Sequence, residues 1–293
     1  MKTARSPTEL GSGPRAVALG TFDGVHLGHQ RVLAAARETG LTSTVVTFDP
    51  HPRTALGNFV ALLSTLERRL ELIAETGIDE TLVVEFTLDL ARLEPDEFAD
   101  RVLRPLGAEV VVAGEDFRFG HGRKGDLELL SQLGFEVRAV PLLEGVSSSR
   151  IRELVADGAV GEAAGLLGRP VEVEGIVVTG NARGGTLGFP TANLSVRPDL
   201  VVPSFGIYAG SALGHRAAVS IGTNPHYGGR ERRIEAFVLD FEGDLYGQRL
   251  IVELWRRLRD ERAFESEEEL VAQIARDVEE TRRAERPVPV SAA

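Results

Sequence analysis

The stretch AVALGTFDGVHLGHQ, residues 16–30, joins a short apolar run to an amphipathic segment through a glycine-rich turn. The same alternation repeats along the first half of the chain. Further β-branched runs occupy 42–48, 80–86, 108–114 and 135–142, and amphipathic stretches lie near 28–39, 65–76, 95–106 and 125–133. Apolar strands separated by helices are typical of a parallel sheet covered on both faces. This half is predicted to be a doubly wound α/β domain that binds its ligands beyond the carboxyl ends of the strands.

The pattern changes after a helical stretch from about 147 to 167. The strand-like segments that follow are 171–178, 206–214, 215–222, 232–241 and 248–258. Because only turns separate them, we expect a small antiparallel β-barrel or sandwich. One charged amphipathic helix, about 266–284, is expected to close it.

The chain of 293 residues is long enough for two domains of ordinary size. The predicted domains are residues 1–165 and 166–286, and a tail covers 287–293. The final segment AERPVPVSAA, 284–293, is expected to be disordered because chain ends rich in proline and small residues seldom pack.

The composition is that of a globular protein, with 43% hydrophobic and 26% charged residues. No apolar run approaches the roughly 18 residues of a membrane span, and the first residues lack the apolar core of a secretory signal. The net charge of -11 argues against a nucleic-acid-binding protein, which needs clustered Lys and Arg. A nucleotide site needs only a few local donors. The absence of cysteine excludes disulfides, thiolate metal sites and a cysteine nucleophile, and it fits the cytoplasm.

The turn after the first strand is the densest functional signal. His26 and His29 are three residues apart, so both are expected on one side at the start of the next helix. Gly20, Gly24 and Gly28 let the backbone approach a ligand closely. Two imidazoles and helix-start N–H groups aimed at one point suit an anion that gains charge during a reaction. The alternatives are a surface or helix-capping pair and a zinc pair, which would lack a cysteine and a nearby third ligand.

A serine-rich segment, VSSSRIREL, places hydroxyl, N–H and guanidinium donors at a predicted helix start. The donors belong to Ser147, Ser148, Ser149, Arg150 and Arg152. Such donors suit the phosphates of a nucleotide. Helix capping alone explains the segment equally well.

A second glycine-rich stretch, GIVVTGNARGGTLGFPTANL (175–194), opens the barrel half. Its glycines, at 175, 180, 184, 185 and 188, leave a backbone able to wrap phosphates. It is not a P-loop, because no Lys-Ser or Lys-Thr pair ends it. Glycine spacing alone also fits a hairpin without a ligand, so the GFPTANL end is the more specific part.

The first half resembles the H-x-G-H nucleotidyltransferases, which include cytidylyl-, pantetheine-phosphate and flavin adenylyltransferases. Three further segments make it similar to the FMN adenylyltransferase half of bacterial bifunctional riboflavin kinase/FAD synthetases. They are TFDPHPR (47–53), VVAGEDFRFGHGRKGD (111–126) and VSSSRIREL (146–154). The resemblance implies that the FMN phosphate attacks the α-phosphorus of ATP and that pyrophosphate leaves, without a protein nucleophile.

The resemblance also implies roles for single residues. His26 and His29 would stabilise the transition state, and Arg150 the departing phosphates, through positioning and charge. The implied ATP-binding residues are Gly20, Phe22, Gly24, Ser147 and Ser148. Asp116 and Phe117 would lie near the flavin or the adenine, although Asp116 also suits a capping role.

The second half resembles riboflavin kinase, a six-stranded barrel. The matching segments are GFPTANL, PSFGIYAG (203–210), SIGTNPHYGG (220–229), RRIEAFVLDFEGDLYG (232–247) and LRDERAFES (258–266). The resemblance implies that Thr191 and Asn193 hold Mg²⁺ and the ATP phosphates, with Gly180 and Gly188 in the phosphate-binding backbone. Neutral oxygens suffice because Mg²⁺ keeps several waters and takes its charge partners from phosphate. Glu235 would be the general base for the riboflavin 5′-hydroxyl. A surface-exposed strand glutamate is the alternative.

Arg259, Phe264 and the last helix are expected to cover the isoalloxazine ring by stacking and one charged contact. An ordinary amphipathic helix docked on a barrel is the alternative. The chain departs from the family pattern at several positions. Gly185 stands where arginine is frequent, and His226 stands where GTNPTF-like sequences have threonine. Ser149 for threonine and Thr21 for asparagine are mild changes.

The predicted function is therefore flavin cofactor synthesis with ATP as co-substrate and Mg²⁺ as cofactor. The expected partners are riboflavin, FMN, FAD and ATP, with no nucleic acid and no membrane. One alternative is an enzyme in which only one half is active, or in which the transferase half uses another phosphorylated substrate. Another is a flavin-binding regulator that has lost turnover. A nucleic-acid-binding module is disfavoured by the charge.

Overall fold

The computed structural model describes residues 1–180, 189–223 and 232–288 of the chain. It contains two compact units, Met1–Ser148 and Ser149–Ser291. A boundary near residue 165 between independently folding domains stays a prediction.

The first unit is built on a parallel sheet. Its strands are β1 (Lys2–Ala4), β2 (Arg15–Leu19), β3 (Thr42–Asp49), β4 (Glu80–Glu85), β5 (Ala108–Gly114) and β6 (Glu136–Val140). They are ordered β1-β4-β3-β2-β5-β6, and all neighbours run parallel. The predicted doubly wound domain is confirmed. Strand β1 was not predicted, because three residues are too few to show a periodic pattern.

Helices cover both faces of this sheet. They are α1 (Leu27–Arg37), α2 (Pro52–Ala55), α3 (Leu66–Glu75), α4 (Leu88–Ala91), α5 (Pro95–Phe98) and α6 (Leu127–Gln132), and a π-helical turn spans Ala99–Leu103. Along β2, Ala16 and Ala18 pack into the cluster that contains α1, whereas Val17 and Leu19 pack with the Phe98 side. Alternate residues thus enter opposite cores, as strands buried on both faces require.

The strand order reverses between β2 and β5. In open parallel sheets, ligands bind outside the carboxyl ends of the strands at this reversal. Here the segments that leave these strands begin with Gly20 and Glu115. The fold therefore places the turn with the two histidines and the loop with Asp116 at neighbouring strand ends.

The second unit begins with helices and continues as a barrel. Helix α7 (Ser148–Ala156) and helix α8 (Val160–Leu167) replace the single helical stretch expected over 147–167. They separate at Gly158, which has φ +80°, and a Cβ there would lie 2.8 Å from the Tyr208 hydroxyl. Gly168 ends α8 in the left-handed conformation, as a helix-terminating glycine does.

The barrel strands are β7 (Val171–Val178), β8 (Ala192–Ser195), β9 (Gly206–Ala212), β10 (His215–Thr223), β11 (Arg232–Val238) and β12 (Arg249–Arg259). They close in the order β10-β11-β8-β7-β12-β9, with antiparallel pairing throughout. The predicted barrel is confirmed. Its interior is filled by alternate apolar residues, among them Tyr208, Val219, Ile234 and Val252, all buried.

Helix α9 (Glu267–Arg283) packs on β9 and β10, as the predicted closing helix should. The expectation of disorder from residue 284 is wrong for the first residues of that segment. Ala284 is buried beside Ala209 and Trp255, and Arg286 forms an ion pair of 2.6 Å with Glu253. Across the described residues, no helix has the length and apolar character to cross a membrane.

Candidate active sites

The turn after β2 holds an unusual backbone. Phe22 and Val25 have φ values of +51° and +40°, and Gly24 has φ +77°. Side chains other than glycine rarely adopt such angles, so the surrounding structure must hold them in place. A Cβ on Gly24 would lie 2.7 Å from Leu63 Cδ1, so glycine is required there. The tight turn delivers the chain directly into α1.

The two predicted histidines lie together at the start of α1. Their rings stack with centroids 3.6 Å apart and an interplanar angle of 17°. His26 caps the helix, because its Nδ1 accepts the His29 N–H at 3.3 Å. Phe22 packs edge-on against His29 with centroids 5.3 Å apart. The expectation that both imidazoles face one side is therefore met, and His26 has the capping role that was named as an alternative.

Gly28 and Gly20 lie against side-chain rings of the same site, those of His26 and Phe22. A Cβ on Gly28 would lie 3.2 Å from Cε1 of His26, and a Cβ on Gly20 would lie 3.3 Å from the Phe22 ring. Both contacts are tighter than ordinary van der Waals separation. The glycines predicted to approach a ligand thus also allow the aromatic and imidazole rings to pack.

A buried carboxylate fastens this turn to its neighbours. Asp23 is fully buried and accepts the N–H groups of Leu63 at 3.0 Å and Ser64 at 3.3 Å. The Ser148 hydroxyl donates to the Asp23 carbonyl oxygen at 3.2 Å. Ser148, the last residue of the first unit, therefore contacts the histidine turn. The phosphate-binding roles of Ser147 and Ser148 stay predictions.

Arg69 of α3 was missed by the sequence analysis. Its side chain is buried, and one guanidinium nitrogen donates to the carbonyl oxygens of Thr21 at 3.1 Å and Phe48 at 3.0 Å. Burial lowers the pKa of Arg69 from its usual value, and the charges of Asp23 and Asp49 oppose that shift. Arg69 thereby ties together the ends of β2 and β3. An arginine on an amphipathic helix carries no sequence signal of such a role.

The remaining residues assigned to the first site occupy varied positions. Asp116 is exposed in the turn after β5, and its Oδ1 lies near Gly114. Phe117 is half-buried and stacks on Phe119 with centroids 6.0 Å apart. Arg150 lies on the first turns of α7, half-exposed, with Glu153 at 3.3 Å. Their contacts with flavin and phosphates stay predictions.

The barrel carries a second cluster, which the register of two strands creates. Glu235 of β11 pairs directly with Asn193 of β8. The Thr191 hydroxyl donates to Glu235 Oε1 at 3.2 Å. A Cβ on Gly180 would overlap the Asn193 side-chain amide, so only glycine leaves that amide in its place. The structure thus brings together Gly180, Thr191, Asn193 and Glu235, which were predicted to act in one site.

Arg233 also belongs to this cluster and was missed. Its terminal nitrogen donates to Glu235 Oε1 at 2.7 Å, and its Nε donates to Asn193 Oδ1 at 3.1 Å. Arg233 and Glu235 are two residues apart on β11, so they lie on one face of the strand. That spacing is visible in RRIEA and could have revealed the pairing.

The donor set of this cluster fits a divalent cation. Thr191 Oγ1, Asn193 Oδ1 and Glu235 Oε1 are oxygens, the ligands that Mg²⁺ prefers. A positive group, the Arg233 guanidinium, already binds two of them. Within 1–180, 189–223 and 232–288, no group of three His, Asp or Glu side chains is arranged to hold a metal.

Arg259 and Phe264 lie at the end of β12 and in the segment after it. Arg259 forms an ion pair with Asp277 of α9, with nitrogen–oxygen distances of 2.7 and 3.0 Å. Its guanidinium carbon is 5.8 Å from the centre of the Phe264 ring, and that of Arg262 is 4.9 Å away. Arg259 therefore anchors the closing helix, and the flavin contacts of both predicted residues stay predictions. Gly188 and the departures at Gly185 and His226 lie outside the described residues.

Comparisons with known proteins identify the family of each half of the chain. The FAD synthetase family profile matches residues 11–152, and the riboflavin kinase profile matches residues 167–285. A Listeria monocytogenes protein named bifunctional riboflavin kinase/FMN adenylyltransferase is 38% identical over 92% of this chain and 91% of its own. An Escherichia coli K12 protein of the same name is 37% identical over 94% of this chain and 96% of its own.

One solved structure shares the fold of nearly the whole chain. It is described as a macrolide-efflux protein from Streptococcus pneumoniae, is 34% identical and has a TM-score of 0.86. The match covers 97% of this chain and 99% of that one. Taken with the two profiles and the relatives above 30% identity, these matches show that the chain belongs to the bifunctional riboflavin kinase/FMN adenylyltransferase family.

Proposed function

We propose that this chain phosphorylates riboflavin to FMN and then adenylylates FMN to FAD, using one ATP in each step. The observation that carries the proposal is the pairing of Glu235 with Asn193 and Thr191, in a chain that also holds a stacked histidine pair. The two clusters lie on different folds, a barrel and a parallel sheet. Two successive phosphate reactions on one flavin would account for the presence of both clusters.

In the kinase step, the riboflavin 5′-hydroxyl oxygen forms a bond to the γ-phosphorus of ATP. The bond between that phosphorus and the bridging oxygen breaks, and ADP leaves. Glu235 takes the hydroxyl proton as general base. Its side chain is 23% exposed, which leaves a face of the carboxylate open to a substrate. Thr191 and Asn193 would hold Mg²⁺, which when bound neutralises charge on the phosphates.

In the transferase step, a phosphate oxygen of FMN forms a bond to the α-phosphorus of ATP, and pyrophosphate leaves. The chain supplies charge stabilisation and positioning rather than a nucleophile. His26 and His29 stand at the N-terminus of α1, where imidazole donors and the helix dipole both favour negative charge. We assign phosphate contacts to Ser147, Ser148 and Arg150 on the same reasoning.

The proposed setting follows from the substrates. The chain would act in the cytoplasm, where ATP and flavins are available, and Mg²⁺ would accompany the nucleotide. Its partners would be riboflavin, FMN, FAD and ATP. The acidic net charge of -11 supports small-molecule substrates over nucleic acid.

A time course with the purified full chain, riboflavin, ATP and Mg²⁺ tests the proposal. Chromatography should show FMN appearing first and FAD following at its expense. Supplying FMN instead of riboflavin should give FAD without a lag. Riboflavin that binds but is never phosphorylated would identify a flavin-binding regulator and refute the kinase assignment. FMN that accumulates without FAD would refute the transferase assignment.

A further inference from the structure

We propose that Arg233 is a positioning residue of the kinase site, whose guanidinium binds Asn193 and Glu235 and competes with the divalent metal that Asn193 would help to hold. The inference rests on the proposed function, because it takes Asn193 and Glu235 as kinase-site residues. Beyond that function, it assigns to the Arg233 side chain the role of an internal competitor of the metal.

The geometry is that of a bridge. One nitrogen of Arg233 donates to Glu235 Oε1 at 2.7 Å, and Nε donates to Asn193 Oδ1 at 3.1 Å. The planar fork of a guanidinium can reach two acceptors at once, so both side chains are held in one arrangement. Thr191 donates its hydroxyl to the same Oε1. Two side chains, Arg233 and Thr191, therefore donate to Glu235 Oε1, and Arg233 also donates to its opposite partner Asn193.

The bridge involves Asn193, one of the two side chains proposed to hold the metal, and the neighbouring Glu235 carboxylate. Asn193 Oδ1 accepts from Arg233, and Glu235 Oε1 accepts from both Arg233 and Thr191, so these hydrogen bonds occupy lone pairs that a cation would otherwise use. A guanidinium and a divalent ion bound to the same side chain would also repel each other, because both are positively charged. Metal binding therefore competes with the Arg233 bridge.

The strength of the bridge is moderate. The side chains of Arg233 and Glu235 are 25% and 23% exposed, so water screens their attraction in part. Charge-assisted hydrogen bonds are stronger than neutral ones, and two of them must break. We expect competition to weaken metal binding about fivefold, which corresponds to about 1 kcal/mol.

The neighbouring Arg232 offers a matched control. It carries the same charge on the same strand, and its guanidinium carbon lies 5.7 Å from the centre of the Phe205 ring. Adjacent strand residues point to opposite faces. Replacing Arg232 therefore changes the net charge equally and leaves the bridge intact.

The test is a titration of Mn²⁺ into the full chain in the presence of ADP, with free Mn²⁺ followed by electron paramagnetic resonance. Mn²⁺ accepts the same oxygen ligands as Mg²⁺. The Mn²⁺ bound by the wild type but not by Asn193→Ala marks the kinase site. At this site, Arg233→Met should bind Mn²⁺ about fivefold more tightly than the wild type. Arg232→Met should match the wild type, and Arg233→Lys, which keeps the charge, should fall between the wild type and Arg233→Met.

A second readout uses turnover. The Mg²⁺ concentration for half-maximal FMN formation should fall by the same factor in Arg233→Met, while that for FAD formation from FMN stays unchanged. Unchanged or weaker Mn²⁺ binding in Arg233→Met would overturn the inference, as would equal tightening in Arg232→Met or no loss in Asn193→Ala. If the wild type forms no FMN, the proposed function fails instead, whatever the Mn²⁺ titration shows.

Discussion

The histidine pair of the first unit lies in a loop and on a helix start, whereas the Glu235 cluster of the barrel lies on paired strands. In the loop, the geometry depends on positive φ angles at Phe22 and Val25 and on the buried Asp23. On the barrel, the register sets Glu235 opposite Asn193, and neither of these two residues has a positive φ. The first site therefore depends on supports outside itself, and the second depends on the spacing of its own side chains. This difference predicts which substitutions should impair each site.

The largest expected effect comes from the support of the loop site. In Arg69→Met, the carbonyl oxygens of Thr21 and Phe48 lose their donor, and buried Asp23 loses a nearby positive charge. Removing one partner from buried charged groups costs about 3 kcal/mol or more. Hydrogen exchange followed by mass spectrometry should show faster exchange in peptides from residues 15–49. Peptides from 206–223 of the barrel should keep the wild-type rate.

Arg68→Met is the matched control, because Arg68 forms ion pairs with Glu71 and Glu75 along its own helix. Such pairs contribute about 0.5 kcal/mol or less. Equal acceleration of exchange in both variants would mean that loss of an arginine on α3, rather than the tie between β2 and β3, is responsible.

The next effect separates the two reactions. His29→Ala removes an imidazole from the stacked pair, so FAD formation should fall on the order of 10²-fold, or roughly 2.7 kcal/mol. FMN formation should continue and FMN should accumulate. His121→Ala, at an exposed turn of the same unit, should leave both rates at the wild-type level. Loss of FMN formation in folded His29→Ala protein would contradict the assignment of two separate sites.

The reverse result is expected on the barrel. Glu235→Gln keeps the size of the side chain but removes the general base, so FMN formation should fall on the order of 10²-fold. FAD formation from supplied FMN should be unaffected. Glu242→Gln, an exposed change in the same unit, serves as the control. A variant that still phosphorylates riboflavin at the normal rate would show that Glu235 is a structural partner of Arg233 and Thr191.

Local patterns were enough to predict the fold of both units, and the failures share a cause. The strands β2 to β6 and most barrel strands show periodic apolar residues, and they were predicted to within a few residues. Strand β1 is too short for a period, and it exists because its residues pair with β4, about eighty positions away. Arg286 was placed in a disordered tail, but it binds Glu253 across the barrel. Contacts between residues far apart in the sequence cannot be predicted from the pattern of a short segment.

The same division applies to the sites. His26, His29, Thr191, Asn193 and Glu235 lie in dense motifs, and the structure places them in two clusters. Arg69 and Arg233 complete those clusters and were not predicted. Arg69 reaches Thr21 across 48 positions of sequence. For the buried Arg69 only the fold reveals this contact, whereas the two-residue spacing of Arg233 and Glu235 is visible in the sequence.

The smallest expected effect tests the spacing of the barrel site. In Gly180→Ala, the new Cβ would overlap the Asn193 amide, so that side chain must move away from Glu235 and Arg233. Misplacement of one ligand should lower FMN formation about tenfold, which is about 1.4 kcal/mol. Circular dichroism should show an unchanged fold, because the overlap involves a side chain on the barrel surface.

Two other glycines sharpen this result. Gly165→Ala on α8 puts its Cβ in open space, so both activities should persist. Gly28→Ala in the loop site brings a Cβ to 3.2 Å from His26, a contact that a shift of a few tenths of an ångström relieves. FAD formation in Gly28→Ala should therefore fall less than FMN formation in Gly180→Ala. The opposite order would mean that the loop site, held by its buried supports, tolerates less displacement than the barrel site.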